Sequence, residues 1–242
     1  MLLKDKIALV TGGGTGVGAC IAKKLAEEGS QVILVGRTLD RLETVQKEIE
    51  RKGGKAQSIQ ADITIQREVE ILKEHVLKKY GKLDILVNNA GISKEYPLLE
   101  MPIEVWDEIY DTNLRSLMIL TKAFLSSMVK AKSGNIVNIG SGAAIRGLPG
   151  SIAYSVAKAG VVCFTETLGD EVRRYGIRVN VICSGPIDTE MFRQSAAREF
   201  ILKAGGDVFS PETIANGVLF LASDLSEGMN SQVLIMRGFN RW

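Results

Sequence analysis

The stretch Thr11-Gly12-Gly13-Gly14-Thr15-Gly16-Val17-Gly18 decides which fold the sequence predicts. It follows the apolar residues 7–10, which are typical of a buried strand, and it opens segment 15–28, whose apolar positions recur at helical spacing. Glycines between a strand and a helix let the backbone approach a pyrophosphate, which the N–H groups at the helix start can bind. We therefore predict a dinucleotide-binding turn. A plain glycine-rich turn is the alternative, because only residues 14–19 match the general pattern G-x-G-x-x-A.

Strand and helix patterns alternate from this turn to the end of the chain. The predicted strands are 6–11, 31–36, 55–61, 83–88, 135–140, 178–183 and 232–236. The predicted helices are 15–28, 39–51, 65–80, 102–130 (with an early break as an option), 152–175 and 211–222. Apolar strands that alternate with helices are typical of a parallel sheet covered on both faces. Because no linker divides the chain, we predict a single α/β domain over 1–242, a Rossmann-type doubly wound parallel sheet of about seven strands.

The composition excludes several classes of protein. The 242 residues include 30 Lys and Arg against 28 Asp and Glu, and this net charge of +2 argues against a polybasic nucleic-acid-binding protein. No apolar run approaches the length of a membrane span, and the four residues 7–10 are too few for the apolar region of a signal peptide. Three cysteines without a Cys-x-x-Cys pair and one histidine do not form a zinc motif. These features predict a cytoplasmic protein with no metal site and with neither nucleic-acid nor membrane partners.

Further motifs occur in a fixed order along the chain. The turn has the spacing Thr-Gly-x-x-x-Gly-x-Gly, and Asn88-Asn89-Ala90-Gly91 ends the fourth predicted strand. Later motifs are Asn113, Ser141, Tyr154-x-x-x-Lys158, and Pro186 followed by Thr189. With these motifs the sequence resembles the short-chain dehydrogenase/reductase family over nearly its whole length. Within that family its pattern is most similar to 3-oxoacyl-[acyl-carrier-protein] reductases.

The resemblance implies four catalytic residues, namely Asn113, Ser141, Tyr154 and Lys158. Tyr154 would be the acid and base, Ser141 would hydrogen-bond the carbonyl oxygen, and Asn113 would support a water that links Lys158 to solvent. The residues themselves are compatible with this, because Tyr154 and Lys158 are four positions apart and share a helix face. A nearby ammonium favours the phenolate of a tyrosine whose ordinary pKa is about 10. Ser151 and Ser155 are the alternatives for the serine role.

The resemblance also implies a nicotinamide dinucleotide cofactor. Its expected contacts are Gly12, Gly14, Thr15, Gly16, Val17, Arg37, Thr38, Asp62, Ile63, Asn89, Ala90, Gly91, Tyr154, Lys158, Pro186, Ile187 and Thr189. Arg37 follows the second predicted strand, where a guanidinium suits a 2′-phosphate, so we expect a preference for NADP(H) over NAD(H). Relatives that prefer NADP often carry a basic residue where this chain has Thr15, so NAD(H) stays open. In the alternative interpretations Arg37 is an exposed residue at a helix start and Asp62 caps the next helix.

The expected activity is NADP(H)-dependent interconversion of a carbonyl and a secondary alcohol, with a 3-oxoacyl thioester as one candidate substrate. An NAD-dependent sugar, alcohol or steroid dehydrogenase and a catalytically silent dinucleotide sensor are the alternatives. Segments 93–100, 142–152 and about 187–209 would surround a small carbonyl or alcohol substrate, the last as a lid. The resemblance and the two long helices predict a homotetramer or a dimer.

Two charges depart from the pattern of the family. Such reductases usually carry Arg before the penultimate helix and Asp after the last strand, whereas this chain has Asp207 and Arg237. We expect an ion pair of reversed polarity. The alternative is that the altered C-terminus, which includes Phe239 and Trp242, has drifted and both charges are solvated.

Overall fold

A computed structural model describes residues 1–195, 197–203 and 206–237. In these residues seven parallel strands form one sheet, in the order β3-β2-β1-β4-β5-β6-β7. The strands are β1 Ile7–Thr11, β2 Gln31–Gly36, β3 Lys55–Gln60, β4 Ile85–Asn88, β5 Gly134–Ile139, β6 Ile177–Ser184 and β7 Val233–Met236. The chain winds outward from β1 to β3 and then returns to the other side of β1 with β4. The carboxyl ends of β1 and β4 therefore flank the switch point at which such sheets bind ligands.

Helices cover both faces of the sheet. The α-helices of the described residues are α1 Gly16–Glu27, α2 Leu39–Arg51, α3 Gln66–Tyr80, α4 Ile103–Tyr110, α5 Ser116–Ala131, α6 Ile152–Val172, α7 Glu190–Arg193, α8 Ala197–Lys203 and α9 Pro211–Ala222. Apolar residues of α1, α2 and α9 pack with one side of the strands, and those of α3, α5 and α6 pack with the other. Alternate residues of each strand enter the two cores, so that Leu9 and Val10 lie on opposite faces. This arrangement confirms the predicted α/β fold.

The structure departs from the predicted helices in the second half of the chain. The predicted helix 102–130 is divided into α4 and α5 by a π-helical turn, Asp111–Arg115. The predicted helix 152–175 ends at Val172 and continues as a 3₁₀ turn, Arg173–Tyr175, because Gly176 adopts a left-handed backbone with φ 69°. Two short helices, α7 and α8, lie in the predicted lid, in addition to the helices whose bounds were predicted.

The expected ion pair of reversed polarity between Asp207 and Arg237 could form within one chain or between two copies, and the structure of one chain bears only on the first case. The ion pairs of the described residues do not join these two side chains. Phe209 instead fixes the segment of Asp207, because its N–H donates to the Pro186 carbonyl at 2.8 Å and its carbonyl accepts from the Asp188 N–H at 2.8 Å. That segment thus runs beside the start of the predicted lid. Phe239 and Trp242 lie outside the described residues.

Two further properties concern the predicted partners. Within the described ranges, each helix is too short or too polar to cross a membrane. The same residues contain no group of three or more His, Cys, Asp or Glu side chains arranged to hold a metal ion.

Candidate active site

Hydrogen bonds tie the carboxyl ends of β1 and β4 together. The Thr11 hydroxyl oxygen accepts the backbone N–H of Asn89 at 2.9 Å and that of Ala90 at 3.0 Å. The side-chain amide of Asn89 donates to the Thr11 carbonyl oxygen at 2.8 Å. Thr11 and Asn89 are 78 residues apart in the chain, so the first two sequence motifs form one structural unit at the switch point.

The glycine turn forms a cradle in which several side chains would not fit. Gly12 and Gly16 have left-handed backbones with φ 64° and 51°. A Cβ on Gly18 would lie 2.1 Å from the Gly12 carbonyl oxygen and 2.6 Å from the Asn89 side-chain nitrogen. Among the described residues, the side chain of Thr15 does not cap α1, so the first turn of this helix keeps its N–H groups for another acceptor. These features fit the pyrophosphate of a dinucleotide, whose charge a helix start stabilises.

Asn113 lies in the π-helical turn and supports the loop after β4. Its side-chain amide donates to the Ile92 carbonyl oxygen at 2.8 Å, and its side-chain oxygen accepts the Ile92 N–H at 2.8 Å. A Cβ on Gly91 would lie 2.7 Å from this oxygen and 3.5 Å from the Lys158 ammonium nitrogen. Because Gly91 has no side chain, Asn113 and Lys158 can both approach the loop that follows the second motif.

Lys158 is buried on α6. Its ammonium donates a hydrogen bond of 2.8 Å to the Ile139 carbonyl oxygen at the end of β5. The nitrogen lies 5.8 Å from the centre of the Tyr154 ring, as expected for two residues on one helix face. Burial penalises the ammonium and lowers the pKa of Lys158 to about 8. No sequence motif indicated the Ile139 contact, because a backbone carbonyl is present at every residue and carries no residue-type signal.

A side-chain hydrogen bond joins Tyr154 and Ser141. Burial of Tyr154 is the largest influence and raises the pKa of its hydroxyl, while a hydrogen bond with Ser141 opposes this effect. The expected lowering of the tyrosine pKa by a nearby ammonium is therefore not the dominant effect in this structure. The Ser155 hydroxyl accepts the Leu148 N–H at 3.3 Å and so serves the preceding loop. This contact favours Ser141 over Ser155 for the serine role.

The predicted contacts of the adenosine half lie around the ends of β2 and β3. Arg37 is exposed, and its carbonyl oxygen accepts a hydrogen bond of 2.8 Å from the Gln60 side chain. Asp62 accepts hydrogen bonds from the N–H and the hydroxyl of Thr64, at 2.9 and 2.7 Å. Asp62 thus shapes the turn before α3. The side chain of Ile63 is 9% exposed and packs in the core, so only its backbone is accessible to a ligand.

The remaining predicted contacts come from the segment after β6. Thr189 precedes α7, and its hydroxyl accepts the Phe192 N–H at 3.4 Å. A Cβ on Gly16 would lie 3.4 Å from the Thr189 methyl carbon, so this segment reaches the glycine cradle. Pro186 and Ile187 are held by the backbone of Phe209. Val17 packs against the core of the α1 face, and Thr38 precedes α2.

Comparison with known proteins identifies the family of this chain. The family model described as short chain dehydrogenase matches residues 6–199. The chain belongs to the short-chain dehydrogenase/reductase family. It is therefore an oxidoreductase that acts on a CH–OH group or the corresponding carbonyl.

Curated relatives and solved structures match nearly the whole chain. The chain is 38% identical over 242 residues to the 3-oxoacyl-[acyl-carrier-protein] reductase FabG of Chlamydia muridarum, covering 98% of each. It is 36% identical to the FabG of Escherichia coli, again with 98% of each chain covered. The crystal structure of levodione reductase matches with a TM-score of 0.92 and 31% identity, over 98% of this chain and 97% of that one. A short-chain type dehydrogenase/reductase from Mycobacterium marinum matches with a TM-score of 0.93, 31% identity and coverage of 98% and 95%.

The cradle yields a prediction about Gly18. We expect Gly18→Ala to lower the free energy of unfolding by about 2 kcal/mol and to weaken dinucleotide binding, because the new methyl group must displace the Gly12 carbonyl. Chemical denaturation and fluorescence titration with a reduced nicotinamide dinucleotide measure the two effects. Gly228→Ala is the matched control, since no atom lies within 4 Å of a Cβ at that position. Unchanged stability and unchanged binding in Gly18→Ala would contradict the prediction.

Proposed function

We propose that this oxidoreductase transfers a hydride between NADP(H) and a carbonyl or secondary alcohol, with Tyr154 as the acid and base. The observation that carries the proposal is the convergence of Ser141, Tyr154 and Lys158 at the carboxyl edge of the sheet. Gly91 and Asn113 connect this group to the dinucleotide cradle. A sensor that only binds a dinucleotide would have no need for such a group.

The residues of the chain supply binding, orientation and proton transfer. The nicotinamide, when bound, would supply or accept the hydride. The Ser141 hydroxyl would hydrogen-bond the substrate oxygen and stabilise the charge that develops on it. The Tyr154 hydroxyl would donate its proton to this oxygen during reduction and take it back during oxidation. Lys158 would orient the ribose, and the water relay at Asn113 stays a prediction.

The proton affinities favour the direction of reduction. Burial raises the pKa of Tyr154, so its hydroxyl is protonated and ready to donate at neutral pH. Lys158, whose pKa is lowered to about 8, keeps its charge at neutral pH. The site therefore combines a neutral proton donor with one positive charge, and it can neutralise an alkoxide as that alkoxide forms.

The preference for NADP(H) and the substrate class are supported by different observations. Arg37 is exposed at the end of β2, where an Asp or Glu would bind the ribose hydroxyls of NAD(H). The relatives at 36–38% identity are named 3-oxoacyl-[acyl-carrier-protein] reductases. We propose a 3-oxoacyl thioester as the substrate class on this basis.

Carbonyl reduction by wild type and Tyr154→Phe tests the proposed function. We expect wild type to oxidise NADPH with 3-oxoacyl thioesters in a panel that also contains sugars, steroids and simple ketones. Removal of the phenolic proton should reduce kcat by at least about a hundredfold, a typical loss for a general acid, and weaken NADPH binding far less, because the cofactor keeps its other contacts. Oxidation of NADH with only a sugar or steroid would support the alternative dehydrogenases. Tight cofactor binding without turnover of any carbonyl would identify a sensor and refute the proposal.

Lys158 yields a prediction for the pH dependence. Its pKa is lowered from 10.5 to about 8, so its charge is fully present well below pH 8 and is lost as the pH rises through that value. We expect kcat/KM for reduction to fall over the same range, because the neutral amine no longer stabilises charge at the site. Lys158→Arg remains charged and should not show this loss, even if its overall rate is lower. The same alkaline loss in Lys158→Arg would assign it to another group.

The protein is also proposed to be a homotetramer or a dimer. Met118 on α5, and Ile152 and Val156 on α6, are 40%, 37% and 46% exposed, and a second copy could bury them. Sedimentation velocity at micromolar protein should show an assembly, whereas a single 26.3 kDa species would contradict this. Val156→Asp should weaken the assembly. Ile71→Asp on α3, where Ile71 is 55% exposed, is the control that should leave it intact.

A further inference from the structure

The first turn of α2 packs directly on the glycine cradle. A Cβ on Gly14 would lie 3.1 Å from the Cβ of Arg41 and 3.3 Å from its carbonyl carbon. The third residue of α2 is therefore in contact with the turn that fits a pyrophosphate. Only a glycine at position 14 allows this approach without displacing the helix.

From the usual direction of helical side chains, we expect the Arg41 head group to lie towards Arg37. In an α-helix the Cα–Cβ bond leans towards the N-terminus, and long side chains cover the preceding turn. The preceding turn of α2 starts at Thr38, directly after Arg37. With its Cβ beside Gly14, a side chain in this direction would extend along the cradle towards the end of β2.

The charges at this place favour an anion. Arg37 and Arg41 are both exposed, and in the described part of the chain neither guanidinium has a hydrogen-bond or ion-pair partner. The side chain of Thr38 does not cap α2 within these residues, so the helix start adds its own positive potential. Asp40 is the one acidic residue in the first turn, and it lies about 100° around the helix from Arg41. Two arginines beside a helix start repel one another unless an anion lies between them.

We propose that Arg41 is a second ligand of the cofactor 2′-phosphate, opposite Arg37. This inference rests on the proposed function, because it concerns the cofactor of that function. It would also explain how the chain could prefer NADP(H) with Thr15 at a position where relatives that prefer NADP often carry a basic residue. Arg41 reaches the same place from α2, across Gly14, and supplies the second positive charge.

Calorimetric titration of the purified protein tests this role through binding alone. The ligands are NADP⁺, NAD⁺, 2′-AMP and 5′-AMP, and the variant is Arg41→Met, whose side chain keeps the packing on Gly14 and removes the charge. We expect binding of NADP⁺ and 2′-AMP to weaken by roughly tenfold or more, because a hydrogen bond between charged partners is lost. Binding of NAD⁺ and 5′-AMP should stay within about twofold, since these ligands have no 2′-phosphate.

Matched variants separate charge from packing. Arg41→Lys should recover part of the NADP⁺ affinity, because it restores the charge without the planar fork. Arg51→Met removes an exposed arginine from the last turn of the same helix and should leave all four affinities unchanged. In the double variant Arg37→Met/Arg41→Met, the preference for NADP⁺ over NAD⁺ should disappear.

The possible failures are distinguishable. If wild type prefers NADP⁺ and Arg41→Met keeps this preference, the role of Arg41 is refuted and the proposed function stands. Equal weakening of NADP⁺ and NAD⁺ would assign Arg41 to packing and also refute the role. If wild type prefers NAD⁺, the NADP(H) part of the proposed function fails and the inference fails with it.

Discussion

The site depends on one close approach, in which α1 starts against the carbonyl oxygen of Gly12. The distance of 2.1 Å from that oxygen to a Cβ on Gly18 means that only a glycine fits at this position, the third residue of α1. The same glycine leaves space for the Asn89 side chain, which bonds the end of β1. The cradle, the tie between β1 and β4, and the loop that reaches Asn113 therefore form a continuous backbone arrangement. Functional side chains can approach this backbone arrangement only where the backbone leaves space for them.

Burial gives the proposed catalytic group its electrostatic character. It disfavours both the phenolate of Tyr154 and the ammonium of Lys158, so it moves their two pKa values in opposite directions, the first up and the second down to about 8. The hydrogen bond from Lys158 to the Ile139 carbonyl compensates part of the cost of the buried charge. Within the described residues this ammonium has one backbone hydrogen-bond partner, and a buried charge with so little compensation lowers the free energy of unfolding. The proposed function would explain why Lys158 is buried at the edge of the sheet despite this cost.

The sequence predicted the fold well because its signals are local. Strand β2 and helices α2 and α9 have the bounds that their apolar patterns predict, and Gly81, with φ 75°, ends α3 where expected. For the candidate site, the sequence predicts a set of residues, but it does not predict which contacts these residues make. The Ile139 carbonyl, the contact of Arg41 with Gly14 and the core position of Ile63 all depend on how distant elements pack. Within one chain, the described residues show no ion pair between Asp207 and Arg237, because two exchanged charges in a sequence do not establish that they meet in space.

The π-helical turn between α4 and α5 matters more to the candidate site than to the fold. In such a turn one extra residue is accommodated locally, here with the Ser116 N–H bonded to the Asp111 carbonyl five residues earlier. A deletion of one residue there would restore a regular α-helix and leave the buried faces of α4 and α5 in register with the sheet. It would also remove the position from which Asn113 holds the Ile92 loop. Relatives that are one residue shorter at this point could keep the architecture intact while losing the support of the site. The length of the chain between 111 and 115 therefore determines whether Asn113 lies where it can hold the Ile92 loop.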